Sequence, residues 1–110
     1  MEYRKPNFVN SPRAHVEVVK VIYDGGVNGD DFSIAIIKWD GCPRIGVRWN
    51  ISSAEYEDER KMNGQAECIG NPISRGVPTW FVLPINGPEE PATPFGMYLN
   101  LAIEELNKLK

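Results

Sequence analysis

Two runs of alternating side chains, separated by a turn that begins at Asp40-Gly41, constrain the fold most strongly. The runs are FSIAIIKW (32–39) and RIGVRWNI (44–51), and both are rich in β-branched and aromatic residues. Asp-Gly between two such runs is a strong signal for a tight β-hairpin. Alternation in the second run predicts one face of Ile45, Val47, Trp49 and Ile51 and an opposite face of Arg44, Gly46, Arg48 and Asn50. The aliphatic neighbours of Trp49 favour a place for it in the core.

Two further strands are predicted beside this hairpin. HVEVVKVIY (15–23) has the composition of a first strand, and PTWFVLP (78–84) that of a short fourth strand bracketed by prolines. Trp80 and Phe81 are neighbours on that strand, so one is expected in the core and the other outside it. Residues 1–14 are predicted to form a loose N-terminal arm. Residues 52–70 are predicted to form an exposed, mobile, charged insertion within a single domain of residues 15–110.

The C-terminal segment has the pattern of an amphipathic helix. Thr93 is a good N-cap and Pro94 suits the first helical position, after a predicted loop at 85–92. The partner of the apolar stripe is the sheet, a second copy of the helix, or both. The order of elements predicts an α+β fold, a four-stranded antiparallel sheet followed by one C-terminal amphipathic helix. The stripe consists of Phe95, Leu99, Ala102, Leu106 and Leu109, widened by Tyr98 and Ile103.

Charge and composition narrow the class of protein. The chain has 110 residues, enough for one modest core, and its net charge of −3 argues against a generic basic nucleic-acid binder. Charge is nevertheless segregated, because residues 38–50 carry +2 and residues 55–61 carry −2. No apolar run is long enough for a membrane span or typical of a signal peptide, which predicts a cytoplasmic protein. Cys42 and Cys68 form no CxxC motif and are expected to be reduced thiols.

The patterns that carry catalysis or metal binding do not occur in the sequence. His15 is the only histidine, and His and Cys do not cluster at metal-binding spacing. The acidic, glycine-rich loop DGGVNGDD (24–31) lacks the spacing and terminal glutamate of an EF-hand, and no phosphate-binding glycine motif is present. The sequence therefore predicts a non-enzymatic protein that needs no metal or cofactor.

Aromatic rings and cations interleave along the predicted strands, a pattern that suits single-stranded nucleic acid. Rings stack on bases, and cations follow the phosphates. The same cations also fit a solvated face, and Ser74-Arg75-Gly76 also fits a plain turn. The candidate binding residues are Lys38, Trp39, Arg44, Arg48, Ser74 and Arg75.

These segments resemble the positive cofactor four-like family, which includes a eukaryotic transcriptional coactivator and bacterial and phage single-stranded-DNA-binding proteins. KWDGCPRIGVRWNI (38–51) looks like the family's second hairpin, and SRGVPTWFVLP (74–84) looks like its basic lead-in to the last strand. The resemblance implies a homodimer packed through the C-terminal helices, with the sheets contacting single-stranded DNA. It also implies that Trp39 stacks on a base and that Lys38, Arg44, Arg48 and Arg75 face phosphates.

A protein-interaction module is the alternative from another class of function. The net acidic insertion would then contact a protein partner, for example in a phage or mobile-element factor that binds a host protein. A small-molecule pocket beside Trp80 is a third possibility, for which that ring is the sole sequence feature.

Overall fold

A computed structural model describes residues 1–85 and 94–109. In these ranges the chain forms eight strands, two α-helices and two short 3₁₀ segments, at Pro6–Phe8 and Ser53–Glu57. The helices are α1 (Glu59–Met62) and α2 (Pro94–Lys108). The strands are β1 (Glu2–Tyr3), β2 (Val16–Asp24), β3 (Phe32–Trp39), β4 (Cys42–Trp49), β5 (Glu67–Cys68), β6 (Ile73–Ser74), β7 (Val77–Pro78) and β8 (Phe81–Val82).

The predicted α+β class is confirmed, with a four-stranded antiparallel sheet in the order β2-β3-β4-β8 and a C-terminal helix. The hairpin of β3 and β4 turns at Asp40 and Gly41, which have φ values of 52° and 80°. Positive φ at both positions is the type I′ geometry whose twist matches that of the flanking strands. The turn pairs Trp39 with Cys42, and the same register pairs Phe32 with Trp49.

Within β3 and β4 the two faces of the sheet are packed in the opposite sense to the prediction, whereas Ile51, just after β4, is buried as expected. The face that carries Ala35, Ile37, Gly46 and Arg48 is buried. The other face is half-buried to exposed, and Trp49 on it is 53% exposed, so the expected core position of Trp49 is wrong. We call this other surface the open face; it consists of Phe32, Ile34, Ile36, Ile45, Val47, Trp49 and Phe81.

Trp80 explains why the smaller side chains face inward. Its ring lies against Gly46, where an added Cβ would come within 3.0 Å of the ring and 3.2 Å of Ile37 Cδ1. Its Nε1 donates a hydrogen bond to the Val9 carbonyl at 2.7 Å. The expectation that one of Trp80 and Phe81 is buried is confirmed, at 4% and 59% exposure. Gly46 thus leaves the space that the large ring of Trp80 fills, and Ile34, Ile36, Ile45 and Val47 remain on the open face.

Residues 1–14 do not form the loose arm that was predicted. Pro6 and Val9 are fully or almost fully buried, and Val9 belongs to the core cluster of Trp80. Strand β1 pairs in parallel with β5, and Arg4 forms a 2.7 Å ion pair with Glu67. The N-terminal segment therefore joins the core to the insertion at 52–70.

The insertion is organised around one buried carboxylate, which corrects its description as a simple exposed segment. Glu55 is 6% exposed, and its oxygens accept hydrogen bonds from the backbone N–H groups of Ser52, Ile69 and Gly70. Lys61 Nζ also pairs with it at 2.5 Å. The charges of this segment are therefore not all exposed to solvent. The buried Glu55 carboxylate is stabilised by the hydrogen-bond donors that surround it.

The fourth strand is shorter than predicted, and the chain before it forms a separate hairpin. β8 covers only Phe81–Val82, whereas β6 and β7 pair with each other around Arg75-Gly76. Helix α2 matches the predicted helical segment, and its side chains from Met97 to Leu109 are exposed. The predicted N-cap at Thr93 and most of the predicted loop at 85–92 lie outside the described residues.

Candidate functional site

An aromatic row crosses one end of the sheet and is the most distinctive feature of the surface. Tyr23 on β2 and Phe32 on β3 have ring centroids 5.1 Å apart. Phe32 and Trp49 on β4 are 6.2 Å apart and meet edge to face at 85°. Such contacts hold rings in place, so exposed faces of Tyr23 and Trp49 form a preorganised apolar surface. Phe81 belongs to the same open face, because it lies directly opposite Val47.

This aromatic row was not predicted from the sequence. The register of the hairpin could have predicted that Phe32 and Trp49 lie side by side. A two-residue turn at Asp40-Gly41 pairs Trp39 with Cys42, and seven steps back along each strand it pairs Phe32 with Trp49. Tyr23 is harder to place, since register shifts interrupt the pairing of β2 with β3.

The predicted stacking residue, Trp39, is on the opposite side of the sheet from the aromatic row. It pairs with Val16 on β2 and packs against the core cluster, where it is half-buried. Trp49 is the more exposed of the two rings.

Two of the predicted cations, Lys38 and Arg44, lie near the tight turn but on opposite faces. Lys38 is exposed on the same side as the open face, opposite Pro43. Arg44 pairs with Ile37 on the core side, and its Nη1 donates to the Pro43 carbonyl at 3.0 Å. Lys20, which the sequence did not single out, is exposed and pairs with Ile36, so it accompanies Lys38 on the open side.

Arg48 is buried, in contrast to its predicted role as a phosphate-facing cation. It is 3% exposed, and its guanidinium donates to the carbonyls of Ile69, Pro72 and Thr79. Burial lowers the pKa of Arg48 from 12.5 to about 10, so the side chain stays charged near neutral pH. Its charge therefore positions the segment 69–79 and is not presented to a ligand.

Arg75 and Gly76 form an exposed turn between β6 and β7, and Ser74 is the exposed last residue of β6. Arg75 and Gly76 have φ values of 53° and 78°, again a type I′ turn. This hairpin follows Asn71, which bridges to Trp49. Arg75 is therefore connected to the aromatic end of β4, whereas Lys38 and Arg44 lie toward its other end.

A cavity of about 290 Å³ opens beside Trp49. Tyr56 from the insertion lines it and donates a 2.6 Å hydrogen bond to Asp31 Oδ2. This hydrogen bond raises the pKa of Tyr56 above its usual 10, so its hydroxyl stays a donor. Neither Tyr56 nor Asp31 was a predicted site residue, because residues far apart in sequence meet here only in the folded chain.

His15, the sole histidine, contacts a carboxylate on the turn of the β3–β4 hairpin. Its Nδ1 pairs with Asp40 Oδ1, and both side chains are exposed. Asp40 N also donates to the His15 carbonyl at 2.7 Å. These contacts fasten the start of β2 to the hairpin turn. Cys42 and Cys68 are both free thiols, the first exposed and the second buried.

No protein-family model, curated protein or solved structure matches this chain. Within residues 1–85 and 94–109, no helix combines the length and the apolar content that a bilayer crossing requires. The geometry of the chain's own residues is therefore the basis for a function.

Proposed function

We propose that this protein is a non-enzymatic single-stranded-DNA-binding protein that acts as a homodimer in the cytoplasm, in transcription, replication or recombination. The observation that carries the proposal is the aromatic row of Tyr23, Phe32 and Trp49 on an open sheet face, extended by Phe81. Exposed aromatic rings suit unpaired bases, and each stacked base contributes about 1–3 kcal/mol. Duplex DNA keeps its bases stacked inside and would gain little from such a surface.

In this proposal three exposed cations contact the phosphates of the bound strand. Lys20 and Lys38 lie on the open-face side of the sheet, and Arg75 lies on the hairpin next to the Trp49 end. Local cations of this kind attract phosphates even though the net charge of the chain is −3. For single strands, three phosphate contacts correspond to a slope of about −2 when the logarithm of the binding constant is plotted against the logarithm of the salt concentration; we call this the salt slope. We retain Arg44, Trp39 and Ser74 as peripheral candidates and exclude Arg48.

Helix α2 supports the homodimer in this proposal. Large apolar side chains lie exposed along it, among them Leu99, Leu106 and Leu109. Exposed apolar area of this extent is typical of a surface that another protein covers. A second copy that packs α2 against α2 would bury this stripe.

Fluorescence anisotropy with labelled oligo-dT and a matched duplex tests the proposal at two salt concentrations. We expect tighter, salt-sensitive binding to the single strand, weakened about tenfold by Phe81→Thr. Phe8→Thr is the matched control, because Phe8 has the same 59% exposure but lies within the N-terminal segment, which packs on the core side through Val9. Absence of binding at low salt, or equal losses in both variants, would overturn DNA binding. Light scattering tests the homodimer, which requires twice the 12.4 kDa chain mass.

A protein-interaction module is the second candidate, and the exposed stripe of α2 favours it. The insertion offers a protein partner fewer free acidic groups than its sequence indicates. Glu55 is paired with Lys61, and Asp58 accepts hydrogen bonds from the first turn of α1. If oligonucleotides do not bind and the chain is a monomer by light scattering, the stripe is open to a different protein.

A further inference from the structure

The cavity beside Trp49 has the dimensions and lining of a site for one small heterocycle. Its volume of about 290 Å³ lies at the lower end of ordinary ligand sites. It adjoins the aromatic row, since Trp49 belongs to both. Its lining includes Asp31, Trp49, Ile51, Ser52, Tyr56 and Asn71.

Two exposed rings at this cavity are held in place rather than left to rotate. Trp49 is 53% exposed and is supported edge-on by Phe32. Tyr56 is 45% exposed and is anchored through its hydroxyl to Asp31. Flat apolar surfaces that are already fixed cost little ordering when a planar ligand stacks on them.

Asp31 gives the cavity its chemical selectivity. Its backbone has a φ of 64°, and its carbonyl accepts a hydrogen bond from Asn50 N at 2.7 Å. Oδ1 accepts from Gly29 N at 3.1 Å, and Oδ2 accepts from Tyr56. A carboxylate has about four acceptor positions, so each oxygen can accept one hydrogen bond more. Two parallel N–H donors on one ligand edge would satisfy both oxygens.

Asn71 adds an adaptable polar group to the same cavity. Its backbone is fixed by a reciprocal pair of hydrogen bonds with Trp49, at 2.8 and 3.1 Å. Its side-chain amide has no hydrogen-bond partner in the part of the chain that the structure describes. The amide therefore offers both a donor and an acceptor to a ligand that also reaches Asp31.

We propose that this cavity binds a single unstacked nucleobase, with guanine preferred. Guanine presents two adjacent donors, N1–H and N2–H, that match the two free acceptor positions of Asp31. Thymine has a single N–H, and the carbonyl oxygens on either side of it would be repelled by the carboxylate. Adenine and cytosine each offer one amino group beside a ring nitrogen that accepts hydrogen bonds, so neither base can donate to both oxygens. The inference rests on the proposed function, because a bound strand would deliver the base, and it adds a sequence preference to otherwise indifferent binding.

The test compares labelled dT₁₂ with the same strand carrying one central dG, using the full chain. We expect the dG to raise affinity about tenfold or more, the discrimination typical of a good bidentate pair. Asp31→Asn should abolish the gain and spare binding to dT₁₂, because Asn tolerates a positive φ and still accepts a hydrogen bond from Tyr56. Glu57→Gln is the matched control, since Glu57 is an exposed carboxylate next to Tyr56 in sequence and does not line the cavity.

A titration with guanosine 5′-monophosphate, followed by tryptophan emission, separates the two proposals. If dT₁₂ binds but dG and Asp31→Asn change nothing, the base site is wrong and strand binding stands. If no strand binds but the nucleotide changes the emission of the wild type and not of Asp31→Asn, the base site stands and strand binding is wrong. If neither ligand binds, both proposals are overturned.

Discussion

Glu55 is the residue whose replacement tests the packing of the insertion most directly. Burial by itself raises the pKa of this carboxyl, but hydrogen bonds from Lys61, Ile69, Ser52 and Gly70 outweigh it and lower the pKa from 4.5 to about 2. A depression of that size corresponds to about 3 kcal/mol of folding free energy. This contribution is present above pH 4.5 and is lost as the pH falls toward 2.

Glu55→Gln keeps the shape of the side chain and removes the charge. One carboxylate oxygen becomes an NH₂ group, and it must then face the donors that the oxygen accepted: Ser52 and Gly70 on one side, Lys61 and Ile69 on the other. We expect a loss of about 3 kcal/mol in the free energy of unfolding at pH 7, a large part of the stability of a small domain. The loss should shrink to about 1.5 kcal/mol at pH 3, because the carboxyl is then mostly protonated in the unfolded wild type but still mostly ionised in the native state, whose pKa is about 2.

Urea unfolding followed by tryptophan fluorescence measures this difference, since Trp80 is buried in the native core. Glu57→Gln is the matched control, because Glu57 is an exposed glutamate in the same 3₁₀ segment. It should change the free energy of unfolding by less than about 0.5 kcal/mol. The reasoning fails if Glu55→Gln is as stable as the control at pH 7, or if its deficit is the same at pH 7 and pH 3.

Two further substitutions test the core and the exposed turn. Gly46→Ala should destabilise by about 1–3 kcal/mol in urea unfolding, because its Cβ would press on Trp80, whereas Gly29→Ala, with open space around it, should be close to neutral; equal effects would contradict this packing. Arg75→Asn should stabilise by about 0.5–1 kcal/mol, because Asn before Gly76 favours the type I′ turn. The same change should make the salt slope of oligo-dT binding shallower by about 0.7, and an unchanged slope would remove Arg75 from the DNA contact.

Local pattern was sufficient for the strands of the hairpin and for the helix. β3 runs from Phe32 to Trp39, the bounds expected from FSIAIIKW, because β-branched residues and the turn at Asp40-Gly41 act over short distances. The spacing of apolar residues after Pro94 likewise predicted the helix. The fourth strand was less so: its expected length included Pro78, which lies in β7 instead.

The burial of each face could not be read from the same pattern. Alternation separates Val47 and Trp49 from Gly46 and Arg48, but it does not say which set meets the rest of the chain. Trp80 decides this by filling the space above Gly46. The errors in the expected roles of Trp49 and Arg48 have this one cause. Trp49 was expected to be buried and is exposed, whereas Arg48 was expected to be exposed and is buried.

The sequence by itself determined the order of strands and helix, the tight turns and the amphipathic character of α2, because these depend on interactions between near neighbours. The tertiary structure alone decided that Glu55 and Arg48 are internal charges, since their partners lie up to 31 residues away. It also assembled the aromatic row and the cavity of Asp31, Trp49 and Tyr56. These features depend on long-range packing, in which a distant side chain selects the face that is buried and leaves the other face exposed.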